Sequence, residues 1–368
     1  MNIEPVFKRY FEELEARHIE LRNQLNVFPE GNGDLEGKLS MEMDKFERWR
    51  FEITDKLAEI TALFGPRESV KHRRYVRDSL YYEIVQEAPF YWRIINKPNG
   101  FAGDAHMMKY IYRNQYEGET PFGKFLHKHA LTTKACQSVR NRKLILREEI
   151  LKMGGGKVVS LAAGPAEEIK EVLNSPLEEK YQFLALDHDM GALEAFYDPT
   201  HNSHFNYALA NAFQIISKNY MIAKPRRTLK RFCFPRKDFQ GWRRLISPLK
   251  YELNDLRNDE YDLIYSAGLY DYIRTFLFDH TKGTIALTKN LFDLLKPGGT
   301  LIVGNFNHNN PRDLRFMMEY VYDWNLIYRS KEDMLDFARS IPRDMVREMK
   351  ILDESLGINY FLKIVKNG

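Results

Sequence analysis

The sequence has few cysteines and no long uncharged apolar run. Cys136 and Cys233 are the only cysteines among 368 residues, too few for a disulfide framework or for a zinc site of the usual ligand number. No stretch approaches the roughly 18 uncharged apolar residues that mark a transmembrane helix. The first twenty residues are amphipathic and acidic, whereas a signal peptide is basic and then apolar. These absences predict a cytoplasmic protein with no membrane span and no metal site.

Internal repeats and low-complexity tracts are also missing, which excludes solenoid and disordered classes. Hydrophobic residues make up 44% of the chain and charged residues 29%, with 24 Phe and 21 Tyr. That balance is typical of a globular protein with a sizeable core. The length exceeds one average domain, so we expect two structural units, or one domain with a large helical addition.

The N-terminal part of the chain has helical periodicity. Apolar residues such as Phe7, Phe11 and Leu14 recur among charges at a helical spacing. A polar, Gly-rich break is expected at 30–37, and residues 96–104 are dense in turn formers. Beyond the first helix, helices are expected at 41–63, 69–86, 105–112 and 121–150. The pattern predicts a helical N-terminal region over residues 1–95 and connecting helices over 96–150.

The periodicity changes at Lys157 to short apolar runs that alternate with helical segments. The runs are KVVSLA, YQFLALD, HFNYALA, YDLIYSA and GTLIVGNF. Strands that alternate with helices at this spacing predict a mostly parallel sheet with helices on both faces. Two last runs, 345–352 and 359–366, are separated by Gly357 and are expected to form an antiparallel pair at the sheet edge. We therefore predict an α/β domain over residues 151–368.

The segment VVSLAAGPAEEI predicts a strand that breaks at Gly164 and Pro165 and continues into a helix near Glu167. In an open α/β sheet, ligands bind beyond the carboxyl ends of the strands, and a tight turn there lets a nucleotide approach the backbone. Such a turn also serves as a plain connection between a strand and a helix, and the segment by itself does not separate the two roles.

Two polar residues end the next predicted strands. Asp187 follows Gly164 by 23 residues, where an acid can accept hydrogen bonds from both ribose hydroxyls of a nucleotide. The alternative for Asp187 is a helix N-cap. Asn211 ends the third strand, where its amide can pair with the adenine edge or simply form a turn.

Two further motifs complete the series. In YDLIYSAGLYDYI a strand enters a Gly-containing turn that is expected beside the turn of the first strand, where the strand order switches. In LLKPGGTLIVGNF a helix end, a Pro-Gly-Gly turn and a strand follow one another. Each motif is weak on its own, but their order along the chain is specific.

This ordered series resembles the motifs of class I S-adenosylmethionine-dependent methyltransferases over residues 157–366. The resemblance implies an α/β fold with a Rossmann-like sheet, mostly parallel with an antiparallel last strand, and S-adenosyl-L-methionine as cofactor. The residues that it implies around the cofactor are Ala163, Gly164 and Pro165 at the methionine and ribose parts, Asp187 at the ribose, Asn211, Ala212 and Phe213 at the adenine, and Ser266 beside them. The chain departs from the family pattern at Ser160, where an acid is usual, and at Ala162 and Ala166, where glycines are usual.

Segments outside this series resemble a narrower group. NKPNGFAGDAHMMKYIY, QSVRNRKLILREEI and NPRDLRFMMEYVYDWNLIYRS are similar to segments of the bacterial methyltransferases of extracellular-factor biosynthesis, which make 3-hydroxy fatty acid methyl esters. This likeness implies methyl transfer to the carboxylate of a fatty or other hydrophobic acid. It also implies that the turn 100–104, with Phe101, Gly103 and Tyr110, closes over the cofactor as a lid. The alternative is a structural loop that caps a helix.

The acceptor chemistry depends on which atom is methylated. A carboxylate needs no general base, whereas a hydroxyl or an amine is helped by one. The candidates for a base are Tyr270, Asp271 and His308, each of which can equally be a pocket wall. Polar contacts to the acceptor are expected from Asn305, Asn307, Arg312 and Arg315 after the fifth strand, where an arginine can bind a carboxylate through two hydrogen bonds. The alternative for both arginines is the solvent face of a helix.

A basic segment interrupts the predicted sheet between its third and fourth strands. Residues 217–250 contain eleven Lys or Arg and one acid, Asp238, interleaved with aromatic residues. The segment carries a charge of +10, so the rest of the chain carries −6 within the net +4. Such a segment can follow a phosphate backbone, suit an anionic membrane surface, cover an acidic substrate, or pack its aromatics on the protein itself.

Three functions follow from these patterns. The first is methyl transfer to a small, acidic or hydrophobic molecule. The second is an RNA or DNA methyltransferase that binds nucleic acid through residues 217–250, although no Asn-Pro-Pro-Tyr-type segment follows the fourth strand. The third is a non-catalytic binding protein whose cofactor site has degenerated at Ala162 and Ala166. The oligomeric state and the role of residues 1–90 are not predicted.

Overall fold

The computed structural model describes residues 2–28, 35–189, 192, 204–218, 256–308 and 310–368. These residues form two compact units. The helical unit consists of Met1–Arg140 and Asn309–Asn325, and the sheet unit consists of Asn141–His308 and Leu326–Gly368. The predicted ranges 1–95, 96–150 and 151–368 differ from these units in two places. Most of the connecting segment belongs to the helical unit, and the chain returns to that unit after the fifth strand.

The helical unit begins with helices whose apolar faces are buried. Glu4 caps the first helix by accepting the N–H groups of Val6 and Phe7. Phe7 and Phe11, one turn apart on its buried face, stack with ring centroids 6.0 Å apart, as their spacing predicts. The helices are α1 Pro5–Leu25, α2 Leu35–Thr61, α3 Pro66–Arg77, α4 Leu80–Ile84, α5 Pro89–Asn96, α6 Ala105–Arg113 and α7 Pro121–Thr132.

Several predicted helix boundaries are corrected by capping residues. The helix expected over 69–86 is two helices, because Ser79 has an extended backbone and caps α4 through its side chain. The helix expected over 121–150 is interrupted at Thr133, whose backbone is also extended. After this residue α8 runs over Lys134–Met153, and the boundary between the two units falls within it. Short polar caps of this kind are the usual reason that one periodic run becomes two helices.

The segment Asn309–Asn325 belongs to the helical unit because its side chains pack there. It contains α12 Arg312–Phe316, which continues as a π-helical turn over Met317–Val321. Phe316 and Met317 are buried, and the Tyr81 hydroxyl lies 3.8 Å from the Met317 sulfur. Apolar burial of this kind holds the segment among the N-terminal helices.

The sheet unit contains a seven-stranded sheet in the described residues, in the order β3-β2-β1-β4-β5-β7-β6. The first five strands pair in parallel, and β7 is antiparallel to both of its neighbours. The strands are β1 Gly156–Leu161, β2 Tyr181–Asp187, β3 Phe205–Leu209, β4 Tyr261–Ser266, β5 Leu295–Phe306, β6 Val346–Asp353 and β7 Asn359–Lys366. The predicted sheet and its closing antiparallel pair are confirmed.

Alternating side chains of the sheet fill two cores. Val159 and Ile264 point to one face, with Leu291 of a flanking helix. Val158 and Leu263 point to the other, where the last turns of α8 pack. This alternation is what a sheet covered on both faces requires. The helices of this unit that follow α8 are α9 Glu167–Leu173, α10 Ala212–Ile216, α11 Gly283–Leu294 and α13 Lys331–Leu335.

The sequence predicts a Pro-Gly-Gly turn before the fifth strand, but in the structure this segment lies within the strand. β5 begins at Leu295, directly after α11, and the pairing with β4 skips from Leu295 to Thr300. The four residues between them, KPGG, form a bulge within the strand. A positive φ of 79° at Gly298 gives this bulge a backbone conformation that favours glycine.

Candidate functional site

The loop after β1 has the backbone that a glycine-rich loop would have. Ala162, Gly164 and Ala166 have φ angles of 54°, 54° and 41°, all in the left-handed region. Alanine pays about 1 kcal/mol for this conformation, whereas glycine adopts it freely. The two alanines that depart from the family pattern therefore lie where glycine fits best, and the loop takes that path despite them.

Asp187 fixes this loop from the end of β2. Its Oδ2 accepts the N–H of Gly164 at 2.8 Å, and its Oδ1 accepts the N–H of Asp189 at 2.9 Å. A carboxylate has about four acceptor positions, so two remain for other donors. The arrangement places an acid at the junction of β1 and β2, as the sequence predicts. The alternative of a helix cap concerns a segment, MGALEAF, that lies outside the described residues except for Ala192.

Asn211 and its neighbours begin α10 after β3. The side-chain oxygen of Asn211 accepts the N–H of Phe213 at 2.6 Å, while its own N–H donates to Gln214 at 2.9 Å. This capping box uses the oxygen of the side chain, so a contact with adenine would use its amide nitrogen. Ala212 is half-buried, and the Phe213 ring is 72% exposed.

Ser266 connects the ends of β4 and β1. Its hydroxyl donates to the carbonyl oxygen of Leu161 at 2.9 Å, and the side chain is buried. In the described structure this hydroxyl holds two strand ends together, beside the loop that contains Ala163 and Pro165. The predicted contact of Ser266 with the cofactor remains a prediction.

Tyr270 is a poor candidate for a general base. The side chain is completely buried, and its hydroxyl lies 3.0 Å from the Thr288 hydroxyl in the core beside α11. Burial raises the pKa of Tyr270 above its usual value, which makes the phenolate harder to form. These contacts match the alternative of a pocket wall, and the role of Tyr270 as a base remains a prediction.

Asp271 is a buried carboxyl group with a raised pKa. Burial raises the pKa of Asp271 to about 7, against the Phe306 N–H and the charges of Arg142 and Arg329, which lower it. Its Oδ1 accepts that N–H at 2.7 Å, and its side chain is 2% exposed. The backbone carbonyl of Asp271 also accepts the N–H of Ile327 at 2.8 Å. Asp271 thus combines a raised pKa with a buried structural position, and its role as a base remains a prediction.

Asn305 forms hydrogen bonds inside the protein. Its side-chain nitrogen donates to the carbonyls of Phe306 and Ile327, at 2.7 and 2.9 Å. Its oxygen accepts from Arg329 at 2.5 Å. These three bonds leave little hydrogen-bonding capacity for a substrate.

Asn307 and His308 follow Asn305 at the end of β5. The side-chain nitrogen of Asn307 donates to the Gly357 carbonyl, and its oxygen is a buried acceptor without a hydrogen-bond partner among the described residues. The backbone N–H of His308 donates to the Arg329 carbonyl at 3.2 Å, and the residue is exposed. Of the sheet-unit residues predicted on the acceptor side, Asn307 keeps a side-chain acceptor for a ligand.

Arg312 and Arg315 belong to the helical unit, in α12. The guanidinium of Arg312 makes two hydrogen bonds to Asp55, at 2.8 and 2.6 Å. The two-bond carboxylate contact that the sequence predicts for a substrate is therefore made with an acid of the same chain. Arg315 is half-buried.

The predicted lid residues also lie in the helical unit. Asp104 is buried, caps α6 through the Met107 N–H, and pairs with Arg93 through several hydrogen bonds, the shortest at 2.6 Å. Tyr110 is half-buried on α6, with its ring 4.9 Å from that of His127. These contacts match the alternative of a loop that caps a helix. Closure of Gly103 and Tyr110 over a cofactor remains a prediction.

Two charged residues that lie beside the turns after β4 and β1, Arg142 and Glu168, are not among the predicted site residues. Arg142 reaches the turn after β4, where its Nη1 donates to the Ala267 carbonyl at 3.1 Å. Glu168, at the start of α9, is buried, and its Oε1 accepts the Tyr265 hydroxyl at 2.7 Å. Burial raises the pKa of Glu168. Both residues could have been noted in the sequence. Arg142 lies in the charged run before β1, and Glu168 lies directly after the loop that follows β1.

The basic insertion lies outside the described residues except for Ser217 and Lys218. The second cysteine, Cys233, lies there too. Among the residues that the structure describes, no helix is both long and apolar enough to span a bilayer. The same residues contain no cluster of three or more His, Cys, Asp or Glu side chains placed to hold a metal ion.

Comparisons with known proteins support the fold. Scans against protein-family models and curated proteins found no match. Among solved structures, the chain is similar to a possible exported protein from Bordetella parapertussis, with a TM-score of 0.50, 12% identity, and coverage of 93% of this chain and 100% of that chain. This likeness extends over nearly the whole chain and, at such low identity, shows the fold alone.

Two methyltransferase structures are also similar to parts of this chain. One is the N-methyltransferase NodS from Bradyrhizobium japonicum in complex with S-adenosyl-L-homocysteine, with a TM-score of 0.38, 13% identity, and coverage of 63% of this chain and 88% of that chain. The other is a SAM-dependent methyltransferase from Aquifex aeolicus, with a TM-score of 0.35, 11% identity, and coverage of 60% and 88%. The Rossmann-like assignment is based on the strand order given above.

Proposed function

We propose that the sheet unit binds S-adenosyl-L-methionine and transfers its methyl group to a small-molecule acceptor. The observation that carries this proposal is the hydrogen bond between the Asp187 carboxylate and the Gly164 N–H, at the carboxyl ends of β2 and β1. This edge is where open α/β sheets bind nucleotides. The left-handed loop 162–166 leaves room for a ligand to approach the backbone, and a Cβ at Gly164 would meet no atom within 4 Å.

The cofactor, when bound, supplies an electrophilic methyl group on a sulfonium. The protein's part in such an in-line displacement is to align the acceptor and to exclude water. Asp187 would accept hydrogen bonds from the ribose hydroxyls, and the exposed ring of Phe213 would pack against the adenine. The hydrogen bond from the Ser266 hydroxyl to the Leu161 carbonyl joins the ends of β4 and β1, which would lie beside the cofactor.

The finer part of the proposal is that the acceptor is the carboxylate of a fatty or other hydrophobic acid. It is supported by the resemblance to the methyl-ester group, and a carboxylate acceptor needs no base. A hydroxyl acceptor would instead use Asp271, whose pKa of about 7 suits proton removal at neutral pH. Incubation with S-adenosyl-L-methionine and 3-hydroxy fatty acids, followed by mass spectrometry for the methyl ester, tests the choice.

The cofactor is tested by calorimetric titration with S-adenosyl-L-homocysteine, which needs no known acceptor. We expect micromolar binding that weakens at least tenfold, or about 1.4 kcal/mol, in Asp187→Ala. Asp187→Asn is the matched control, because the amide oxygen can still accept the Gly164 N–H while the charge is lost. Absence of binding to the unsubstituted protein would overturn the proposal and favour a non-catalytic binding protein.

A nucleic-acid substrate is the second candidate, because residues 217–250 carry a charge of +10. Such a function predicts RNA or DNA binding whose affinity falls steeply with salt. Neutralising Arg226, Arg227, Arg243 and Arg244 together would then abolish that binding and leave cofactor affinity unchanged. Binding that is independent of salt, or unchanged in the variant, would count against this function.

A further inference from the structure

The loop 272–282, between β4 and α11, exposes three large apolar side chains in succession. Phe276 and Leu277 are each 40% exposed, and Phe278 is fully exposed. The backbone N–H of Asp279 donates to the Phe276 carbonyl at 3.3 Å, so Leu277 and Phe278 occupy the two corners of a turn. Polar residues, glycine and proline are usual at such corners. Adjacent exposed apolar side chains, unlike a single one, indicate an interaction surface.

The base of loop 272–282 is held in place by the start of α11. The Arg274 carbonyl accepts the N–H of Thr284 at 3.1 Å, and the hydroxyls of Thr275 and Thr284 lie 2.8 Å apart. A Cβ at Gly283 would lie only 2.0 Å from the Arg274 carbonyl oxygen, so this close approach requires glycine. The apolar tip is therefore presented from a base with defined contacts.

Charged residues flank the apolar tip. Arg274 precedes it and is exposed, and Lys282 follows it and pairs with Asp279 at 2.7 Å. Arg274 forms no ion pair with the residues that the structure describes. Residues 272–282 contain two cations and one acid, a net charge of +1 with neutral histidine. This combination is complementary to an anionic lipid surface, whose headgroups attract the cation and whose acyl chains accept the apolar side chains.

The shape of the tip favours a lipid surface over a folded protein partner. Phe278 projects from a turn corner, so the tip is convex. A folded partner would need a matching groove, whereas the acyl chains of a bilayer rearrange around an inserted side chain. Tyr272, 46% exposed near the base of the loop, is of a residue type that is enriched where a membrane meets water.

We infer that loop 272–282 docks this protein on an anionic lipid bilayer, with Leu277 and Phe278 among the acyl chains and Arg274 at the headgroups. The loop follows β4, so docking would bring the carboxyl edge of the sheet close to the lipid. The inference goes beyond the proposed function, and its test needs neither cofactor nor acceptor. Failure of S-adenosyl-L-homocysteine binding would therefore leave it standing.

The test measures co-sedimentation with vesicles of equimolar phosphatidylcholine and phosphatidylglycerol, and with vesicles of phosphatidylcholine alone. We expect the unsubstituted protein to bind the anionic vesicles. The partition coefficient should fall at least tenfold when Leu277→Ser and Phe278→Ser are combined. Arg274→Gln should weaken binding to the anionic vesicles about fivefold, since a basic residue near such a surface contributes about 1 kcal/mol. Arg274→Lys keeps the charge and should bind normally.

The matched control is Leu63→Ser, in the helical unit. Leu63 is 86% exposed, so the variant removes an exposed apolar side chain away from the loop and should bind vesicles normally. Phe278→Trp reports insertion directly, because brominated acyl chains should quench its fluorescence beyond the quenching seen in the unsubstituted protein. A thermal unfolding midpoint shows whether each variant is folded. If the double serine variant does not fold, Phe278→Trp and Arg274→Gln decide.

Three results would overturn the inference. The first is that the unsubstituted protein does not bind anionic vesicles. The second is that the double serine variant binds them as well as the unsubstituted protein does; a change in its oligomeric state, measured by light scattering, would then assign the tip to a contact between copies. The third is binding that is lost only when the arginines of the basic segment 217–250 are neutralised.

Discussion

The two units treat their buried arginines differently. In the helical unit, Arg50 makes hydrogen bonds of 3.0 and 3.1 Å to Glu47 and of 3.0 Å to Asp313. In the sheet unit, Arg329 donates to the carbonyl of Tyr270 and to the side-chain oxygen of Asn305, and Arg142 to one carbonyl. The first cation is balanced inside the fold, whereas the other two form no ion pair among the described residues. The difference separates a buried arginine that is balanced by carboxylates from two buried arginines that donate to neutral acceptors.

The pKa values of Arg50 and Arg329 differ in the same way as their hydrogen-bond partners. Burial opposes the charge of Arg50, but the Glu47 and Asp313 carboxylates raise the pKa of its guanidinium above the usual value. Burial lowers the pKa of Arg329, and the charge of Asp271 only partly offsets that effect. An arginine in the second environment gains more from an anion that arrives from outside.

The largest effect is expected when the charge balance in the helical unit is broken. Arg50→Met leaves the buried Asp313 without its cation and should lower the free energy of unfolding by about 3–5 kcal/mol. Adding Asp313→Leu removes the unpaired buried carboxylate and should restore part of the lost free energy of unfolding. Chemical denaturation of the single and double variants measures both values, and a loss below about 1 kcal/mol in Arg50→Met would contradict the structural role.

The second effect is a pH dependence in the sheet unit. The pKa of Asp271 is about 7 in the folded state and 3.8 in the unfolded reference, so the folded state binds more protons between these values. The contribution of Asp271 is complete below about pH 4 and is lost as the pH rises through 7, by roughly 4 kcal/mol for the whole shift. Denaturation at several pH values should show this slope, and Asp271→Asn should remove it.

The helical unit should show the opposite slope at lower pH. Burial would raise the pKa of Glu47, but the hydrogen bond with His129 and the charge of Arg50 lower it to about 2 from 4.5. Its contribution is present above pH 4.5 and is lost as the pH falls towards 2. Glu47→Gln should flatten that part of the profile, and an unchanged acid limb would show that Glu47 has no such role.

The third effect concerns the arginine whose acceptors are neutral. Arg329→Met leaves the Tyr270 carbonyl and the Asn305 oxygen without their donor and should cost about 2–3 kcal/mol, less than the loss of a buried ion pair. It should also raise the pKa of Asp271 further, because the positive charge that lowers it is gone. The fall of the unfolding free energy with pH should then occur at a higher pH. If its position does not change, the charge of Arg329 does not affect the pKa of Asp271.

The smallest effect is expected in the loop after β1. Ala162→Gly relieves a left-handed alanine, and the gain of about 1 kcal/mol is largely offset by the greater freedom of glycine in the unfolded chain. We expect a change in unfolding free energy below about 1 kcal/mol and unchanged or tighter binding of S-adenosyl-L-homocysteine. A tenfold weaker Kd would show that the methyl group of Ala162 itself contributes to the site.

The sheet could be predicted because its pattern is local. Apolar runs such as YQFLALD coincide with a strand, and the switch of strand order follows from the succession of the motifs. Asp187 and Gly164 could be brought together in the same way, since both end neighbouring parallel strands. Where a pattern extends over one element and its turn, the sequence contains the information that the fold uses.

Contacts between distant parts of the chain could not be predicted. Arg312 reads as a free substrate-binding arginine until the fold brings Asp55 against it, 257 residues away in sequence. Tyr270 reads as a candidate base until the core of the sheet unit encloses it. Arg142 is the opposite case. In the sequence it is one of many charges in a helical run, and only its burial beside Gly268 distinguishes it. Side-chain roles depend on long-range packing, which no local pattern encodes.

The return of residues Asn309–Asn325 to the helical unit bears on how this protein can diverge. If residues 1–140 alone were exchanged for those of a relative, the new helices would have to pack against the unchanged segment 309–325. Its buried Phe316 and Met317 need complementary apolar side chains there. A single recombination point therefore cannot replace the whole helical unit, because the unit consists of two separate chain segments. Changes in the N-terminal helices and in the stretch after the fifth strand must be inherited together.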